Sequence, residues 1–205
     1  MASGPAKQAR RKGTLLRGLF VAGAVIGVGV IGFVVADALE KGYREIALPL
    51  RHDDVIRQQA SKKSLDPALI AAVIYRETGF RPRRSSAGAL GLMQILPDTA
   101  TFIAQKTGGS KFEVADLATP QINIAYGSWY LAYLLRRYDG HEVSALAAYN
   151  AGEGKVDQWV AGRGRVGGGL TDVSEIPYPE TRKYVSDVLR ARDEYRRQYA
   201  KELTL

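Results

Sequence analysis

The chain contains no cysteine and only two histidines, His52 and His141, among its 205 residues. The absence of cysteine excludes a disulfide framework, a thiolate metal site and a lipid anchor on an N-terminal cysteine. The two histidines lack the spacing of metal ligands, and we expect neither a metal nor another cofactor. No internal repeat and no strand-length alternation of apolar and polar residues is present. The sequence therefore predicts a mainly α protein.

The net charge of +8 is unevenly distributed along the chain. Five basic residues lie at the N-terminus without an acidic residue among them: Lys7, Arg10, Arg11, Lys12 and Arg17. The rest carries only about three net positive charges and no basic stripe with interleaved aromatic residues, so we expect no nucleic-acid partner. A mildly basic exported domain is attracted to an anionic cell wall, although an ordinary solvated surface gives the same charge.

Residues 18–36 form a 19-residue run without a charged side chain. At 1.5 Å per residue, a helix of that length spans about 28 Å, close to the roughly 30 Å hydrocarbon core of a bilayer. The sequence therefore predicts a basic cytoplasmic tail (1–17), a transmembrane helix or signal anchor (18–36), a juxtamembrane connector (37–50) and a globular domain (51–205).

The basic residues before this run set the expected orientation. By the positive-inside rule, the N-terminus stays in the cytoplasm and the globular domain lies outside. The expected localisation is thus the cell membrane, single-pass, with the domain on the extracytoplasmic side and the membrane as a partner. The alternative is a cleaved signal peptide, because Ala36-Asp37-Ala38 resembles a cleavage site, although apolar cores of signal peptides usually run about 7 to 15 residues.

The helix signals are clearest before Glu77. Asp66 is a typical N-cap, Pro67 suits the first helical position and Gly79 suits a left-handed end. Glu77 shares the helix face of four apolar residues: Leu69, Ile70, Val73 and Ile74. A carboxyl at the end of a buried face is desolvated, which raises its pKa and makes it usable as a general acid. A solvated residue at a frayed helix end is the alternative.

The sequence favours helices at several further positions. They are expected over about 51–61, from 96 towards 106, and over 120–137, 142–150 and 179–199. Residues 161–170 contain five glycines, and we expect a mobile surface loop there.

Four short motifs follow one another in the predicted domain. They are Glu77-Thr78-Gly79-Phe80-Arg81-Pro82, Gly88-Ala89-Leu90-Gly91-Leu92-Met93-Gln94, Ala147-Ala148-Tyr149-Asn150-Ala151-Gly152 and Ile176-Pro177-Tyr178-Pro179-Glu180-Thr181-Arg182-Lys183-Tyr184-Val185. In this order they resemble the catalytic domain of the lytic murein transglycosylases, in the soluble-transglycosylase (SLT) branch. The segment 123–131 also fits the central helix of that family. The resemblance covers about residues 51–195 and implies a mainly α, lysozyme-like helical domain.

The resemblance also implies a substrate and a reaction. The partner would be a peptidoglycan glycan strand, cut at the β-1,4 bond between N-acetylmuramic acid and N-acetylglucosamine. Glu77 would first donate a proton to the glycosidic oxygen and then accept the proton of the muramic acid 6-hydroxyl. That hydroxyl would close a 1,6-anhydro ring without water, so one carboxylate would serve both steps.

The third motif would form part of the cleft around Glu77. By resemblance, Tyr149 would donate a hydrogen bond to the Glu77 carboxyl and fix its orientation. Ala148 and Asn150 would contribute to the substrate-binding wall on either side of it. A core tyrosine with its hydroxyl at the surface is the alternative for Tyr149.

The resemblance assigns the remaining substrate contacts to the loop after Glu77 and to the last helix. Ser85 and Gln94 would bind N-acetyl and hydroxyl groups of the sugars, and Met93 is expected to pack beneath the loop. Glu180 would lie in the substrate groove, on sugar or stem peptide. The alternative for Glu180 is a carboxylate stabilised by the helix N-terminus.

Two departures from the family pattern concern the same loop. Thr78 follows the glutamate where the family usually has serine, and the loop from Glu77 to Gln94 is one residue shorter than usual. Ser86 therefore competes with Ser85 for the sugar-facing position, and matching backwards from Gly88 favours Ser85.

Two other functions remain open from sequence. A lysozyme-type hydrolase would need a second carboxylate, for which Asp98, Asp139 and Glu180 are candidates. A membrane-anchored scaffold that binds the wall without catalysis is the other alternative, and the presence of Glu77, Gln94 and Tyr149 argues against it.

Overall fold

The structure is a computed structural model that describes residues 33–36, 38, 39, 42, 46–162 and 169–205. The chain divides into two compact units, Met1–Ala47 and Leu48–Leu205. In the first unit, the described residues are helical. Within the described part of the chain, no helix is both long enough and apolar enough to cross a membrane. The predicted tail (1–17) and residues 18–32 of the predicted span lie outside that part.

The second unit is mainly helical, as predicted. Its described helices are α1 (Asp53–Lys63), α2 (Pro67–Thr78), α3 (Pro97–Thr107), α4 (Pro120–Arg137), α5 (Glu142–Ala151), α6 (Glu153–Ala161) and α7 (Pro179–Gln198). A small antiparallel hairpin of β1 (Arg83–Arg84) and β2 (Leu90–Gly91) lies between α2 and α3, with Arg83 opposite Gly91. Two 3-10 turns, Val114–Ala118 and Val173–Glu175, precede α4 and α7.

Helix α2 begins and ends where its capping residues require. The Asp66 carboxylate accepts a hydrogen bond from the Ala68 amide, and Pro67 occupies the first turn. Gly79 adopts a left-handed φ of 58° and its amide donates to the Tyr75 carbonyl, which ends the helix directly after Thr78. These caps fix the point at which the chain turns away from Glu77.

The C-terminal helix holds α2 in place. Helix α7 packs along α2, and its buried face includes Tyr184, Val185 and Val188. Beyond them, the Tyr195 hydroxyl donates to the Pro49 carbonyl oxygen at 2.6 Å, and the Tyr199 hydroxyl donates to that of Leu48 at 2.8 Å. The first and last parts of the unit are therefore joined, with α2 between α1 and α7.

Helix α4 forms the other half of the core. It packs against α1 and α5, and residues such as Ile124, Leu131 and Leu134 are completely buried. Helix α5 in turn contacts both α6 and α7. The C-terminal end of α2, which carries Glu77, is tied to the loop after the hairpin by the Thr78 hydroxyl, which bonds the Leu92 carbonyl.

Some secondary-structure elements could not be predicted from the sequence. Helix α6 was not predicted: its apolar side consists only of Val156, which is buried, and the partly buried Trp159 and Val160. The hairpin strands have two residues each, too few for any alternation to show. Within the predicted loop 161–170, residues 163–168 lie outside the described part, while Gly169 and Leu170 are buried, contrary to the expectation of a mobile surface loop.

Candidate active site

Glu77 lies one residue before the end of α2, with a partly buried side chain. The hydroxyl of Tyr184, from α7, donates a hydrogen bond to the Glu77 Oε1 at 2.7 Å. Burial raises the pKa of the Glu77 carboxyl, although the hydrogen bond from Tyr184 and the charges of Arg76 and Arg83 lower it in part. The carboxyl is therefore closer to its protonated form at neutral pH than an ordinary glutamate.

Tyr184 is suited to remain a hydrogen-bond donor. It is only 3% exposed, and burial together with the negative charge of Glu77 raises its pKa well above the ordinary value. The hydroxyl therefore stays protonated over the whole range in which Glu77 titrates. Sequence reasoning assigned Tyr184 only to the buried side of the last helix and missed this contact.

Tyr149 does not have the predicted partner. Its hydroxyl donates to the Met93 carbonyl oxygen at 2.8 Å, so Tyr184 and not Tyr149 holds the Glu77 carboxyl. Burial is the main cause of the raised pKa of Tyr149, and the negative charge of Glu77 raises it further. The Tyr149 hydroxyl thus fixes the loop that carries Met93.

The rest of the third motif is divided between core and surface. Ala148 is completely buried in α5, so its side chain supports the cleft from behind. Asn150 is exposed near the end of the helix. Gly152 follows with a φ of 91°, which turns the chain sharply into α6.

The loop after the hairpin is held by a buried asparagine of α4. The Asn123 side chain accepts a hydrogen bond from the Met93 amide at 2.7 Å and donates to the carbonyls of Leu90 and Leu117 at 2.9 and 3.1 Å. Gly91, with a φ of 77°, lies so close that a Cβ there would meet Asn123 Nδ2 at 2.1 Å. Sequence reasoning missed Asn123, although a polar residue on the apolar face of α4 could have indicated it.

Gln94 turns its side chain back onto this loop. It has a left-handed φ of 51°, and its Nε2 donates to the carbonyls of Arg83 and Gly91, both at 2.9 Å. These bonds fix the amide and direct its NH₂ group to protein acceptors. The side-chain oxygen is the part of Gln94 with which a ligand N–H or O–H could bond.

The Thr78 hydroxyl joins the end of α2 to the loop after the hairpin, as a serine hydroxyl at the same position could. Its hydroxyl lies 2.8 Å from the Leu92 carbonyl oxygen and 3.2 Å from that of Ile74. The side chain is buried, so its methyl group adds apolar contact at the end of α2. The departure from the family pattern at this position therefore preserves the link between helix and loop.

Ser85 closes the tip of the hairpin. Its Oγ accepts a hydrogen bond from the Ala89 amide at 3.0 Å, while its backbone amide donates to the Ala89 carbonyl at 2.9 Å. Ser85 is partly buried, whereas Ser86 is exposed. Because the Oγ accepts in this contact, the hydroxyl hydrogen of Ser85 can still be donated to a ligand.

The structure positions Glu180 on the same helix as Tyr184. It is exposed in the first turn of α7 and precedes Tyr184 by four residues, about one helical turn. Arg83, from the hairpin, is a further member of the site, because its guanidinium donates to the Glu77 backbone carbonyl at 2.8 Å. The site is thus built by α2, the hairpin and its following loop, α5 and α7.

The sequence and the fold both match known proteins. Residues 54–168 match the family described as Transglycosylase SLT domain, and the chain belongs to this family. The soluble lytic murein transglycosylase of Escherichia coli K12 is 34% identical over 158 residues, which is 76% of this chain and 24% of that protein. The membrane-bound lytic murein transglycosylase C of Cronobacter sakazakii is 34% identical over 167 residues, covering 70% of this chain and 46% of that protein.

Solved structures give the same family and confirm the predicted lysozyme-like, mainly α fold. An inactive glutamate-to-glutamine mutant of the lytic transglycosylase Slt from Pseudomonas aeruginosa aligns with a TM-score of 0.69 and 33% identity, over 76% of this chain and 25% of that one. The 70 kDa soluble lytic transglycosylase complexed with bulgecin A also aligns with a TM-score of 0.69, at 32% identity, over 78% of this chain and 26% of that one. The chain therefore spans about a quarter of the length of these relatives.

These comparisons correct the predicted localisation. The relative matched over 76% of the chain is named a soluble enzyme, and the 70 kDa Escherichia coli protein matched in structure carries the same description. The names of these relatives contradict the expectation of a single-pass cell-membrane protein. That expectation was based on the charge-free run 18–36, of which residues 18–32 lie outside the described part of the chain.

Proposed function

We propose that the chain is a peptidoglycan lytic transglycosylase that cleaves the β-1,4 bond between N-acetylmuramic acid and N-acetylglucosamine. The observation that carries this proposal is the environment of Glu77, a partly buried carboxyl with a raised pKa and a hydrogen bond from Tyr184. The family membership supports it, and so does the solved relative whose glutamate-to-glutamine mutant is described as inactive.

In the first step, protonated Glu77 donates its proton to the glycosidic oxygen. The bond between that oxygen and the anomeric carbon breaks, and positive charge develops on the muramic acid ring. Glu77 becomes a carboxylate, which the Tyr184 hydroxyl stabilises through its bond to Oε1. Burial makes the carboxyl a proton donor near neutral pH, and the tyrosine keeps it in one orientation.

In the second step, the Glu77 carboxylate accepts the proton of the muramic acid 6-hydroxyl. The oxygen of that hydroxyl bonds to the anomeric carbon, which closes the 1,6-anhydro ring and restores protonated Glu77. No water is consumed, so the products together have the mass of the substrate. This step needs only one carboxylate.

Two cations act on the Glu77 carboxyl. Arg76 and Arg83 are cations whose charges lower the pKa of the Glu77 carboxyl. A hydrolase would need a second carboxylate about 5 to 9.5 Å away to attack the anomeric carbon or activate a water. The two cations stabilise the carboxylate that Glu77 becomes after proton donation, and the variants below test whether a second carboxylate takes part.

The remaining site residues would bind the sugars. The Gln94 side-chain oxygen would accept hydrogen bonds from N-acetyl and hydroxyl groups, and the Ser85 hydroxyl would donate to them. Tyr149 and the exposed Asn150 would line the wall that Ala148 supports. Glu180, exposed one turn before Tyr184, would contact sugar or stem peptide at the edge of the groove.

A set of carboxyl-to-amide variants tests the proposal. Turnover of purified peptidoglycan by the full chain is expected to fall by several orders of magnitude in Glu77→Gln, because the proton donor is lost. Asp98→Asn and Asp139→Asn are the matched controls and are expected to keep wild-type turnover. Full activity of Glu77→Gln would refute the proposal, and loss of activity in one of the aspartate variants would indicate a hydrolase with a second carboxylate.

A further inference from the structure

A second layer of side chains lies behind Glu77. The Arg76 guanidinium carbon lies 5.5 Å from the centroid of the Tyr184 ring, while the hydroxyl of the same ring bonds Glu77 at 2.7 Å. Consecutive helical residues point about 100° apart, so Arg76 and Glu77 leave α2 in different directions. They meet the same tyrosine, one at its face and the other at its hydroxyl.

Arg76 also forms an ion pair with a carboxylate of α7, although its buried Nε makes no hydrogen bond to a described residue. Its Nε lies 3.3 Å from Asp187 Oδ2, and the Asp187 side chain is only 16% exposed. Asp187 is also bonded by Lys183 at 2.6 Å and by Arg190. Burial raises the pKa of Asp187, but the hydrogen bond from Lys183 and the charges of Lys183, Arg76 and Arg190 outweigh it and keep the pKa below the ordinary value. Asp187 is therefore a permanent anion over the pH range in which Glu77 titrates.

We infer that Arg76 and Asp187 form a positioning pair that fixes the Tyr184 ring and, through its hydroxyl, the reacting carboxyl of Glu77. A planar guanidinium over a tyrosine ring is attracted by the ring face and restricts its rotation. Asp187 keeps the guanidinium over the ring and away from the Glu77 carboxylate. The catalytic role of this pair rests on the function proposed for Glu77, whereas the contacts of Arg76 with Tyr184 and Asp187 are independent of it.

Through the charge of Arg76, the pair also influences the pKa of Glu77. Four groups are coupled to the Glu77 carboxyl: Arg76 on α2 and Arg83 on the hairpin through their charges, Tyr184 on α7 through its hydrogen bond, and Tyr149 on α5, whose own pKa the charge of Glu77 raises. The two tyrosines are neutral, so Arg76 and Arg83 provide the charge. Removing Arg76 takes a cation away and should raise the pKa of Glu77. Removing the charge of Asp187 leaves Arg76 uncompensated and free to approach Glu77, which should lower it.

The inference predicts that Arg76→Gln and Asp187→Asn shift the titration midpoint of Glu77 in opposite directions. The full chain is labelled with ¹³C at glutamate side chains, and the Glu77 carboxyl signal is assigned by its absence in Glu77→Gln. The titration midpoint is expected to move to higher pH in Arg76→Gln and to lower pH in Asp187→Asn. Arg190→Gln, which removes a cation that binds Asp187 without contacting Tyr184, is the matched control and should leave the midpoint unchanged. Shifts in the same direction in Arg76→Gln and Asp187→Asn, or no shifts, would overturn the inference.

Rates of peptidoglycan cleavage provide the second readout. Neither side chain contacts the glycan in this proposal, so kcat should fall about tenfold with KM unchanged, as expected when a reacting group is displaced. Arg76→Lys keeps the charge without the planar group, so Glu77 should titrate in this variant as in the wild type while kcat still falls.

A wild-type chain that releases no anhydro products would refute the proposed function, while opposite titration shifts would still support the pair. An active wild type with unidirectional shifts would refute the pair alone.

Discussion

The proton-transfer chemistry proposed for Glu77 depends on two opposing influences on one carboxyl. Desolvation favours the protonated form, which the first step uses, and the Tyr184 hydroxyl favours the carboxylate, which the second step uses. A buried carboxyl without the tyrosine would hold its proton too strongly to release it. The single hydrogen bond at 2.7 Å therefore balances the two steps.

Removing one hydroxyl at a time distinguishes the two tyrosines near Glu77. Tyr184→Phe removes the hydrogen bond that lowers the pKa of Glu77, so that pKa should rise further. Because the first step needs protonated Glu77, the alkaline limb of the pH–rate profile should move to higher pH, with a lower maximal rate. Tyr149→Phe removes a bond to Met93 instead and is the matched control. A shifted alkaline limb in Tyr149→Phe but not in Tyr184→Phe would contradict the assignment.

The raised pKa of Glu77 also predicts a pH-dependent stability difference. A carboxyl whose pKa is higher in the folded state binds its proton more tightly there, so it destabilises the fold as pH rises above the ordinary glutamate value of about 4.3. Below that pH the effect is absent. Glu77→Gln should therefore have a higher Tm than wild type at pH 7, by a few degrees, since about 1 kcal/mol corresponds to 2–4 °C at this size.

Thermal unfolding at pH 7 and below pH 4 measures this difference. The gain of Glu77→Gln should disappear at the lower pH. Glu180→Gln is the matched control, because its carboxyl is exposed at the start of α7 and should give no gain at either pH. A Glu77→Gln variant less stable than wild type at pH 7 would contradict the raised pKa.

Among the elements, α4 is the one that shapes the loop of the site without contributing a reacting group. Asn123 ties together Leu90, Met93 and Leu117, and Met93 in turn accepts the Tyr149 hydroxyl. The loop conformation is thus determined by the helix beneath it. Gln94 and Gly91 can take left-handed backbone angles because these contacts hold the chain there.

Asn123→Ala should remove the three hydrogen bonds that fix this loop to α4. The Met93 amide and the carbonyls of Leu90 and Leu117 would lose their buried partner, at about 1 kcal/mol for each hydrogen bond. The free energy of unfolding in urea is expected to fall by about 3 kcal/mol. Gln121→Ala, at an exposed position of the same helix, is the matched control and should change it by less than about 0.5 kcal/mol. Equal stability of the two variants would show that the asparagine does not hold the loop.

The helices were predictable where local signals determine them. The cap of Asp66 and the left-handed Gly79 define both ends of α2, and Pro120 starts α4 at the predicted residue. Helix α6 has only one buried residue, Val156, and its short apolar side packs against α5. Local sequence predicts elements that stabilise themselves and misses those stabilised by neighbours.

For the whole molecule, the candidate site joins parts of the chain that are far apart in sequence. Tyr184 lies 107 residues from Glu77, and Tyr149 lies 56 residues from Met93. The motifs identified Glu77 and its surroundings, but which tyrosine reaches the carboxyl depends on how α7 packs along α2. Periodicity could place Tyr184 on a buried face, whereas only the packing of the two helices gives it a partner.

The direct test of the central claim is the mass of the muropeptides that the full chain releases from purified peptidoglycan. The proposed route closes a 1,6-anhydro ring without water, so the products should be lighter than hydrolytic products by one water and should carry no reducible muramic acid end. Glu77→Gln should release none of them. Products with reducible muramic acid ends would contradict the account, because they would mean that water and not the 6-hydroxyl attacks the anomeric carbon.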